Sequence, residues 1–330
     1  MAQDKFIGRQ LDEYRIDALL GKGNMARIYL ATDVRLGRQA AIKIISHTHQ
    51  DDEMYIMRFR REARAIAQLN HPHIVQLYRY GEAEDLLYMA MQYIEGASLS
   101  VVLRSYHQDG QYIEPHEALR IIREVCSALD YAHQKGVIHR DVKPANIMLD
   151  ITARAILTDF GLALIQADGT RGGVLGTPHY LAPEQARSSA NATPQSDLYS
   201  VGVIMYELFT GQRPFDAKKP VEVAMMHITQ PPPSPRQIRP EISPELEAVI
   251  LKAMAKRPEQ RFQSGAELVH ALEQAMQTGG IGRSATEQPA PPAPTGSVMS
   301  RTLAFALSDE EKKYIQDTED TPNHEQPGNS

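Results

Sequence analysis

The stretch whose residue types and spacing are best suited to catalysis is HRDVKPANIMLD, residues 139–150. It places four ionisable side chains in its first five positions and then becomes apolar, a pattern typical of a loop that leads into a short strand. Within it Asp141, Lys143 and Asn146 stand at offsets of zero, two and five. We therefore treat this loop as the first candidate for chemistry.

A second candidate is GKGNMARIYLA, residues 21–31, which predicts a strand, a glycine-bearing turn and a return strand. Gly21 and Gly23 have no Cβ, so their backbone N–H groups could approach phosphate oxygens closely. Alone the signal is weak, since such a turn is more often a simple tight hairpin. The turn leads into a strand and not a helix, which excludes a dinucleotide-binding Rossmann unit.

Lys43 lies in the apolar run AAIKII, where a single lysine is usually an edge residue whose charged end reaches solvent. Its importance depends on a partner. Glu62 follows in a helical run, flanked at helical spacing by the apolar Phe59, Ile66 and Leu69. The spacing places Glu62 on the side that packs on the sheet, where a buried carboxylate requires a cation.

The bulk properties limit the function classes. The chain has 330 residues, 42% of them hydrophobic, which suffices for one large or two ordinary domains. Its net charge of -6 shows no basic excess, so neither nucleic acid nor an anionic membrane is predicted as the main partner. A single cysteine, Cys126, excludes an internal disulfide framework and suits a reducing compartment. No apolar segment suits a signal peptide or a membrane span, so we predict a cytoplasmic protein.

The chain has three segments of different composition, and the elements of the first two must position these residues. Short β-like runs fill residues 14 to about 91 and are interrupted by one helical pattern. Long helical patterns dominate residues 99–276, with the loop region and RAILTDFG as short strand-like islands. Beyond Met276 the chain is rich in Pro, Gly and Ala and cannot bury enough surface to offset its ordering entropy.

Together these pieces resemble the eukaryotic-type (Hanks-type) protein kinase family over residues 14–273. The family's motifs recur in order as GKGNMARI, AAIK, Glu62, HRDVKPAN, DFG at 159–161 and APE at 182–184. Six elements in this order make the match specific. Two further residues fit: Asp197 is similar to the acid that braces the catalytic loop, and Arg261 is placed to pair with Glu184.

The resemblance implies an α+β, two-lobed protein-kinase fold, with a small β-rich N-lobe holding one key helix and a larger, mainly α C-lobe. The expected divisions are an N-lobe at 14–94, a C-lobe at 95–276, a Pro/Gly/Ala-rich linker at 277–298 and a tail at 299–330. The tail is expected to be disordered; the alternative is a docking segment with autophosphorylation sites such as Ser300 or Thr302.

The resemblance also implies transfer of the γ-phosphoryl group of ATP, with Mg²⁺, to hydroxyl groups of proteins. Asp141 would accept or orient the substrate hydroxyl proton, and Lys143 would face the γ-phosphate. Asn146 and Asp159 would hold the Mg²⁺ ions.

For the nucleotide, the family places Lys43 on the α- and β-phosphates, with Glu62 fixing its position, and the first two glycines nearest the phosphates. The adenine walls would be Leu20, Ile28, Ala41, Met91 and Met148. Backbone groups of Gln92 and Ile94 would hydrogen-bond the base. The family's regulatory apolar column, which an ordinary core would equally explain, would consist of Ile66, Leu77, His139 and Phe160.

One residue departs from the family's pattern. Ala26 replaces the third glycine of the Gly-rich loop, and its Cβ resists a positive φ. We expect a modest effect on nucleotide affinity.

The substrate class follows from Lys143 and from GTPHYLAPE, which resemble the serine/threonine branch and most closely the bacterial kinases. Thr177 would bridge Asp141 and Lys143 in the substrate loop. Many such relatives continue into a membrane span, so this chain is either a soluble member or a fragment.

Regulation is predicted at Thr170, which carries the only hydroxyl between Gly161 and Thr177. Its phosphate would pair with Arg140, and Arg58 could add a second cation. The resemblance also allows self-association for autophosphorylation in trans.

Two rival classes of protein share part of this pattern. A pseudokinase scaffold would have lost Lys43, Asp141, Asn146 or Asp159, and all four are present. A small-molecule phosphotransferase shares the Asp and Asn spacing but lacks an activation segment that ends in APE.

Overall fold

The computed structural model describes residues 4–23, 26–45, 53–83, 86–160, 178–279, 281 and 298–299. The chain divides into two compact units, which we call the sheet unit and the helical unit. The described sheet unit comprises residues 4–23, 26–45, 53–56, 77–83 and 86–93. The described helical unit comprises residues 57–76, 94–160, 178–279, 281 and 298–299. The expected pair of a small β-rich unit and a larger, mainly α unit is confirmed.

The sheet unit is built on an antiparallel sheet with the strand order β1-β2-β3-β4-β6-β5. Its strands are β1 (Gln10–Leu11), β2 (Tyr14–Lys22), β3 (Ala26–Asp33), β4 (Gln39–Ile45), β5 (Leu77–Ala83) and β6 (Leu86–Gln92).

Strand β4 shows why the two faces of this sheet differ. Ala40, Ile42 and Ile44 are at most 1% exposed and belong to a core that also contains tyrosines of β2, β3 and β6. Because side chains alternate along a strand, Ala41 and Lys43 point to the opposite face. That opposite face is the one on which the sequence places the nucleotide.

Helix α1 (Glu53–Ala67) begins among residues of the sheet unit and continues into the helical unit. The helical unit then contains α2 (Leu99–Gln108), α3 (Pro115–Gln134), α4 (Pro183–Arg187), α5 (Pro194–Thr210), α6 (Pro220–Thr229), α7 (Pro235–Ile238), α8 (Pro244–Ala253) and α9 (Gly265–Thr278). Helices α3 to α8 each begin on a proline, whose fixed φ and missing N–H suit the first helical turn.

Helix α5 lies at the centre of the helical unit. Every residue from Ser196 to Thr210 is buried, so the helix is surrounded on all sides. It ends at Gly211, whose φ of 71° is the left-handed conformation that glycine adopts without strain. A polar residue on α5 must therefore be satisfied inside the protein.

A second, three-stranded sheet frames the loop of residues 139–146. It consists of β7 (Gly96–Ser98), β8 (Ile147–Asp150) and β9 (Ala155–Leu157), in that order. Strand β8 starts directly after Asn146, as the sequence predicts for the apolar end of the loop. At Gly96 a Cβ would lie 1.9 Å from the carbonyl oxygen of Leu149, so only glycine permits this strand pairing.

Helix α3 packs against α9 around the single cysteine. Cys126 is 1% exposed, and a Cβ on Gly265 would lie 2.8 Å from the Cys126 Cβ, which makes glycine necessary there. Asp130 accepts hydrogen bonds from the backbone N of Gly265 at 2.6 Å and of Ala266 at 2.8 Å, so it caps α9. Burial raises the pKa of the Cys126 thiol, which keeps it unreactive.

In the part of the chain that the structure describes, no helix has both the length and the apolar character needed to cross a bilayer.

Candidate active site

One carboxylate on α5 holds the loop of residues 139–146 in place. Asp197 is 1% exposed and accepts hydrogen bonds from the backbone N of His139 at 2.9 Å and of Arg140 at 2.7 Å. The His133 Nε2 lies 2.7 Å from the same carboxylate. The predicted role of Asp197 as a brace is confirmed, and His133 is a second support that the sequence did not reveal.

The side chains of Lys143 and Asn146 both contact the carboxylate of Asp141. The Asn146 Nδ2 donates to both the backbone oxygen and Oδ2 of Asp141, each at 2.9 Å. The Lys143 Nζ lies 2.8 Å from the same Oδ2. The Asp141 side chain is 32% exposed and that of Lys143 31%, so both are accessible to a substrate.

Asp159 lies at the end of the segment that follows β9, and this segment is tied to the same loop. The Thr158 N donates to the backbone oxygen of Asn146 at 2.9 Å, and the His139 Nε2 lies 2.9 Å from the backbone oxygen of Thr158. The rings of His139 and Phe160 pack with their centroids 4.5 Å apart. The amide oxygen of Asn146 and the carboxylate of Asp159 are oxygen donors of the kind that Mg²⁺ prefers.

The Arg140 guanidinium is the unsatisfied cation of this region. Among the described residues its buried Nε and Nη1 have no hydrogen-bond partner. Burial lowers the pKa of Arg140, and the charge of Arg61 lowers it further while that of Asp197 raises it. Arg140 and Arg61 are neighbouring cations, and Asp197 is the carboxylate that offsets the charge of Arg140. Together they form an electropositive site that suits an anion. The predicted second cation was Arg58, whose side chain lies outside those described, whereas the structure places Arg61 near Arg140.

A buried ion pair supports the loop from the side of α4. The Arg261 Nη1 and Nη2 donate to the two carboxylate oxygens of Glu184 at 2.7 and 2.8 Å, which confirms the predicted pair. Ser196 also donates to Glu184, at 2.6 Å. Burial raises the pKa of Glu184, but the hydrogen bonds from Arg261 and Ser196 outweigh it and hold the pKa below its ordinary value. Next to it on α4, Gln185 donates to the backbone oxygen of Arg140 at 2.9 Å.

In the sheet unit, the predicted nucleotide residues share one face. Ile28 lies directly opposite Lys43, and Ala41 lies opposite Met91. Directly opposed residues of antiparallel strands point to the same side, so these four side chains form one surface. Gly21 pairs with Ile28, and a Cβ on Gly21 would meet no atom within 4 Å. The backbone there has open space beside it, as a phosphate would require.

The glycine-bearing turn closes at Ala26. The Gly23 N donates to the Ala26 backbone oxygen at 2.9 Å, and Ala26 pairs with Ile45 within the sheet. Ala26 is not one of the described non-glycine residues with positive φ, which are Asp12, Arg140, Ala153 and Asp159. The missing third glycine therefore imposes no left-handed strain in this structure.

The other predicted residues are placed as follows. Glu62 on α1 is 1% exposed and Ile94 is 8% exposed. Leu20 lies on β2, Gln92 ends β6, and Met148 lies on β8 opposite Ser98 and Ile156. Of the apolar column, Ile66, His139 and Phe160 are fully buried and Leu77 is partly exposed. Thr170 and Thr177 lie outside the described residues.

Comparison with known proteins adds independent findings. The family description "Protein kinase domain" matches residues 14–277. The serine/threonine-protein kinase PknB of Mycobacterium leprae is 44% identical over 265 residues, which are 78% of this chain and 42% of that protein. PrkC of Bacillus subtilis, also a serine/threonine-protein kinase, is 40% identical over 79% of this chain and 40% of its own. The chain thus spans about two-fifths of the length of these relatives.

A solved structure agrees with the sequence comparison. The crystal structure of the PknI kinase domain of Mycobacterium tuberculosis matches with a TM-score of 0.65 and 30% identity. The match covers 81% of this chain and 98% of that one.

Proposed function

Because the chain belongs to the protein kinase family, we propose that it is an ATP-dependent serine/threonine protein kinase. The observation that carries the proposal is the convergence of Lys143 and Asn146 on one carboxylate, that of Asp141. A pseudokinase scaffold would not need this arrangement, whereas this chain has all three of its residues, Asp141, Lys143 and Asn146.

In the proposed reaction, Asp141 orients the substrate hydroxyl and accepts its proton as the hydroxyl oxygen bonds to the γ-phosphorus. The bond between that phosphorus and the β–γ bridging oxygen breaks, and ADP leaves. Lys143, which already contacts Asp141, offsets charge on the γ-phosphate. The hydrogen bond from Asn146 keeps the Asp141 carboxylate in one orientation.

Asn146 and Asp159 would hold Mg²⁺, which neutralises the phosphate oxygens when bound. The chemistry of Asn146 suits this role. Its Nδ2 donates to Asp141, so its amide oxygen is the group left to face a cation. In the sheet unit, Gly21 and Gly23 would present backbone N–H groups to ATP and Lys43 would bind its phosphates. Contact of adenine with the surface of Ile28, Ala41 and Met91 is proposed on the same basis.

Protein hydroxyls are the proposed acceptors, on serine or threonine. The pairing of Lys43 with Glu62, the backbone contacts of Gln92 and Ile94, and self-association in trans stay predictions.

The test is incubation of the full chain with labelled ATP, Mg²⁺ and a general protein substrate, followed by phosphosite mapping. Wild type should transfer phosphate, and Asp141→Asn should lower the rate by orders of magnitude without loss of folding. Asp109→Asn, an exposed aspartate at the end of α2, serves as the matched control. A wild-type rate in Asp141→Asn would sink the proposal.

A further inference from the structure

A short segment at the end of the predicted linker lies against the start of α3. Val298 is 0% exposed, and its backbone N lies 3.2 and 3.1 Å from the two carboxylate oxygens of Glu117. The next residue, Met299, is 47% exposed. The sequence predicts a linker up to residue 298 and a disordered tail from 299, so a buried valine at that boundary was not expected.

We infer that the start of α3 is a docking site for the chain's own C-terminal segment. We call the pair of Glu117 and Val298 the tail anchor. Its chemistry has two parts: a carboxylate that accepts a main-chain N–H, and an enclosed space that takes a branched apolar side chain.

The position of Glu117 favours this use. It lies in the first turn of α3, where the partial positive charge of the helix N-terminus stabilises a carboxylate. An N–H donated to an ionised carboxylate is stronger than one donated to a neutral acceptor. Since the bond goes to the main chain, any selectivity must come from the buried side chain at 298.

A second attachment lies at the other end of the linker. Ile281 forms an antiparallel bridge with Ile242, which is 1% exposed. In sequence, residues 282–297 connect the two attachments. The entropy of closing a loop rises only slowly with its length, so a long linker does not prevent docking.

Docking changes the last point at which the described chain is attached. With Val298 docked, that point is at α3; with Val298 released, it is the bridge of Ile281 to Ile242. One charge-assisted bond and one apolar side chain make a small anchor, so docked and released forms should interconvert.

The test is hydrogen exchange of the Val298 amide in the full chain, measured by NMR or by mass spectrometry of a short peptide. Glu117→Ala should accelerate exchange by about tenfold or more, since the acceptor is lost. Val298→Asp should release the segment through like-charge repulsion with Glu117, which would appear as faster cleavage of the linker by a protease.

Two matched controls separate docking from general damage. Glu114→Ala changes an exposed acid at the same helix end, one whose side chain makes no capping bond, and Met299→Ala changes the exposed neighbour. Both should leave Val298 exchange and linker cleavage as in wild type, and thermal unfolding should show that every variant folds. Equal Val298 exchange in wild type and Glu117→Ala, or equal linker cleavage in wild type and Val298→Asp, would overturn the inference.

Discussion

At the scale of single residues, the backbone at the candidate site adopts conformations that its side chains disfavour. Arg140 and Asp159 have φ values of 70° and 58°, in the left-handed region. For non-glycine residues this costs roughly 1–3 kcal/mol each and persists only where the surroundings fix it. For Arg140 they do, because Asp197 binds its N–H and Gln185 binds its carbonyl oxygen.

The same contacts show how far sequence reasoning reaches at this scale. Asp141, Lys143 and Asn146 could be grouped because they lie in one loop, and the structure brings them together. His133 was missed because a lone histidine in an apolar helical pattern is usually an ordinary core residue. Its partner Asp197 lies 64 positions away, so no local spacing signals the contact.

Coupling between Asp141 and Asn146 is the first prediction. Asn146 donates two hydrogen bonds to Asp141, so the residues act as one unit. Asn146→Ala should lower phosphoryl transfer at least tenfold and raise the Mg²⁺ concentration needed for half-maximal rate. In the Asp141→Asn, Asn146→Ala double variant the losses should be smaller than the sum of the single effects. Additive losses with an unchanged Mg²⁺ requirement would contradict the assignment.

Phosphorylation of Thr170 is the second prediction, and Arg140 supplies its reason. A phosphate would meet the buried Nε and Nη1 of Arg140, which lack partners among the described residues. Autophosphorylated protein should carry the Thr170 phosphate by mass spectrometry, and Thr170→Ala should be less active. Thr302→Ala, in the tail, serves as the control. Full activity in Thr170→Ala, or an unmodified Thr170, would remove the hypothesis.

At the scale of elements, periodicity predicted one helical pattern among the β-like runs, which is α1, and the strand-like island RAILTDFG contains β9. Periodicity alone could not show which elements lie next to each other. The register that opposes Ile28 to Lys43 depends on which strands are neighbours. Ala26 pairs as a normal strand residue without a positive φ, and the expected modest effect on nucleotide affinity stays a prediction.

The ion pair between α4 and the segment after α8 carries the third prediction. The low pKa of Glu184 means that its ionised form stabilises the fold above about pH 4.3, and that this contribution is lost as pH falls through the folded-state pKa. At pH 7 Glu184→Gln should lose about 3–5 kcal/mol, because Arg261 is left buried and uncompensated. Urea unfolding from pH 7 to pH 3 should show the gap to wild type narrowing below about pH 4.3.

Glu245→Gln is the matched control for this experiment, since Glu245 is an exposed acid in the first turn of α8. It should follow the wild-type curve. A gap in Glu184→Gln that stays constant down to pH 3 would show that lost packing and not charge explains the effect.

At the scale of the whole molecule, composition and periodicity predicted a small β-rich unit and a larger helical one, and both are present. The contacts place residues 57–76 with the helical unit, and the expected N-lobe bounds of 14–94 stay a prediction. The placement of Val298 was unpredictable because its contact, with Glu117, joins residues 181 positions apart in the sequence.

Peptide preference is the fourth prediction. Arg-directed members of the family carry acids at the positions that here hold Ser98 and Ala145. In the structure Ser98 caps α2 and Ala145 is exposed. Glu207, an acid on α5, is buried and accepts a hydrogen bond from Tyr180. Burial raises the pKa of Glu207, which disfavours its charged form.

Substrates should therefore gain little from arginine two or three residues upstream, at most about 1 kcal/mol per screened contact. The prediction that they contain threonine rests on the resemblance to the bacterial kinases alone. A positional-scanning peptide library measures the upstream arginine preference directly. A dominant arginine signal at those positions would show that another acidic surface, such as that around Glu114 or Glu117, provides the charge.

The contact of α3 with α9 has a practical consequence. Cys126 is the single thiol of the chain and is enclosed where α9 begins, so a maleimide dye can react with it only when those helices separate. Brief pulses of dye would count the molecules that open at each moment, with no engineered label and no competing site. The rate at which Cys126 is labelled would therefore report how often the helical unit opens.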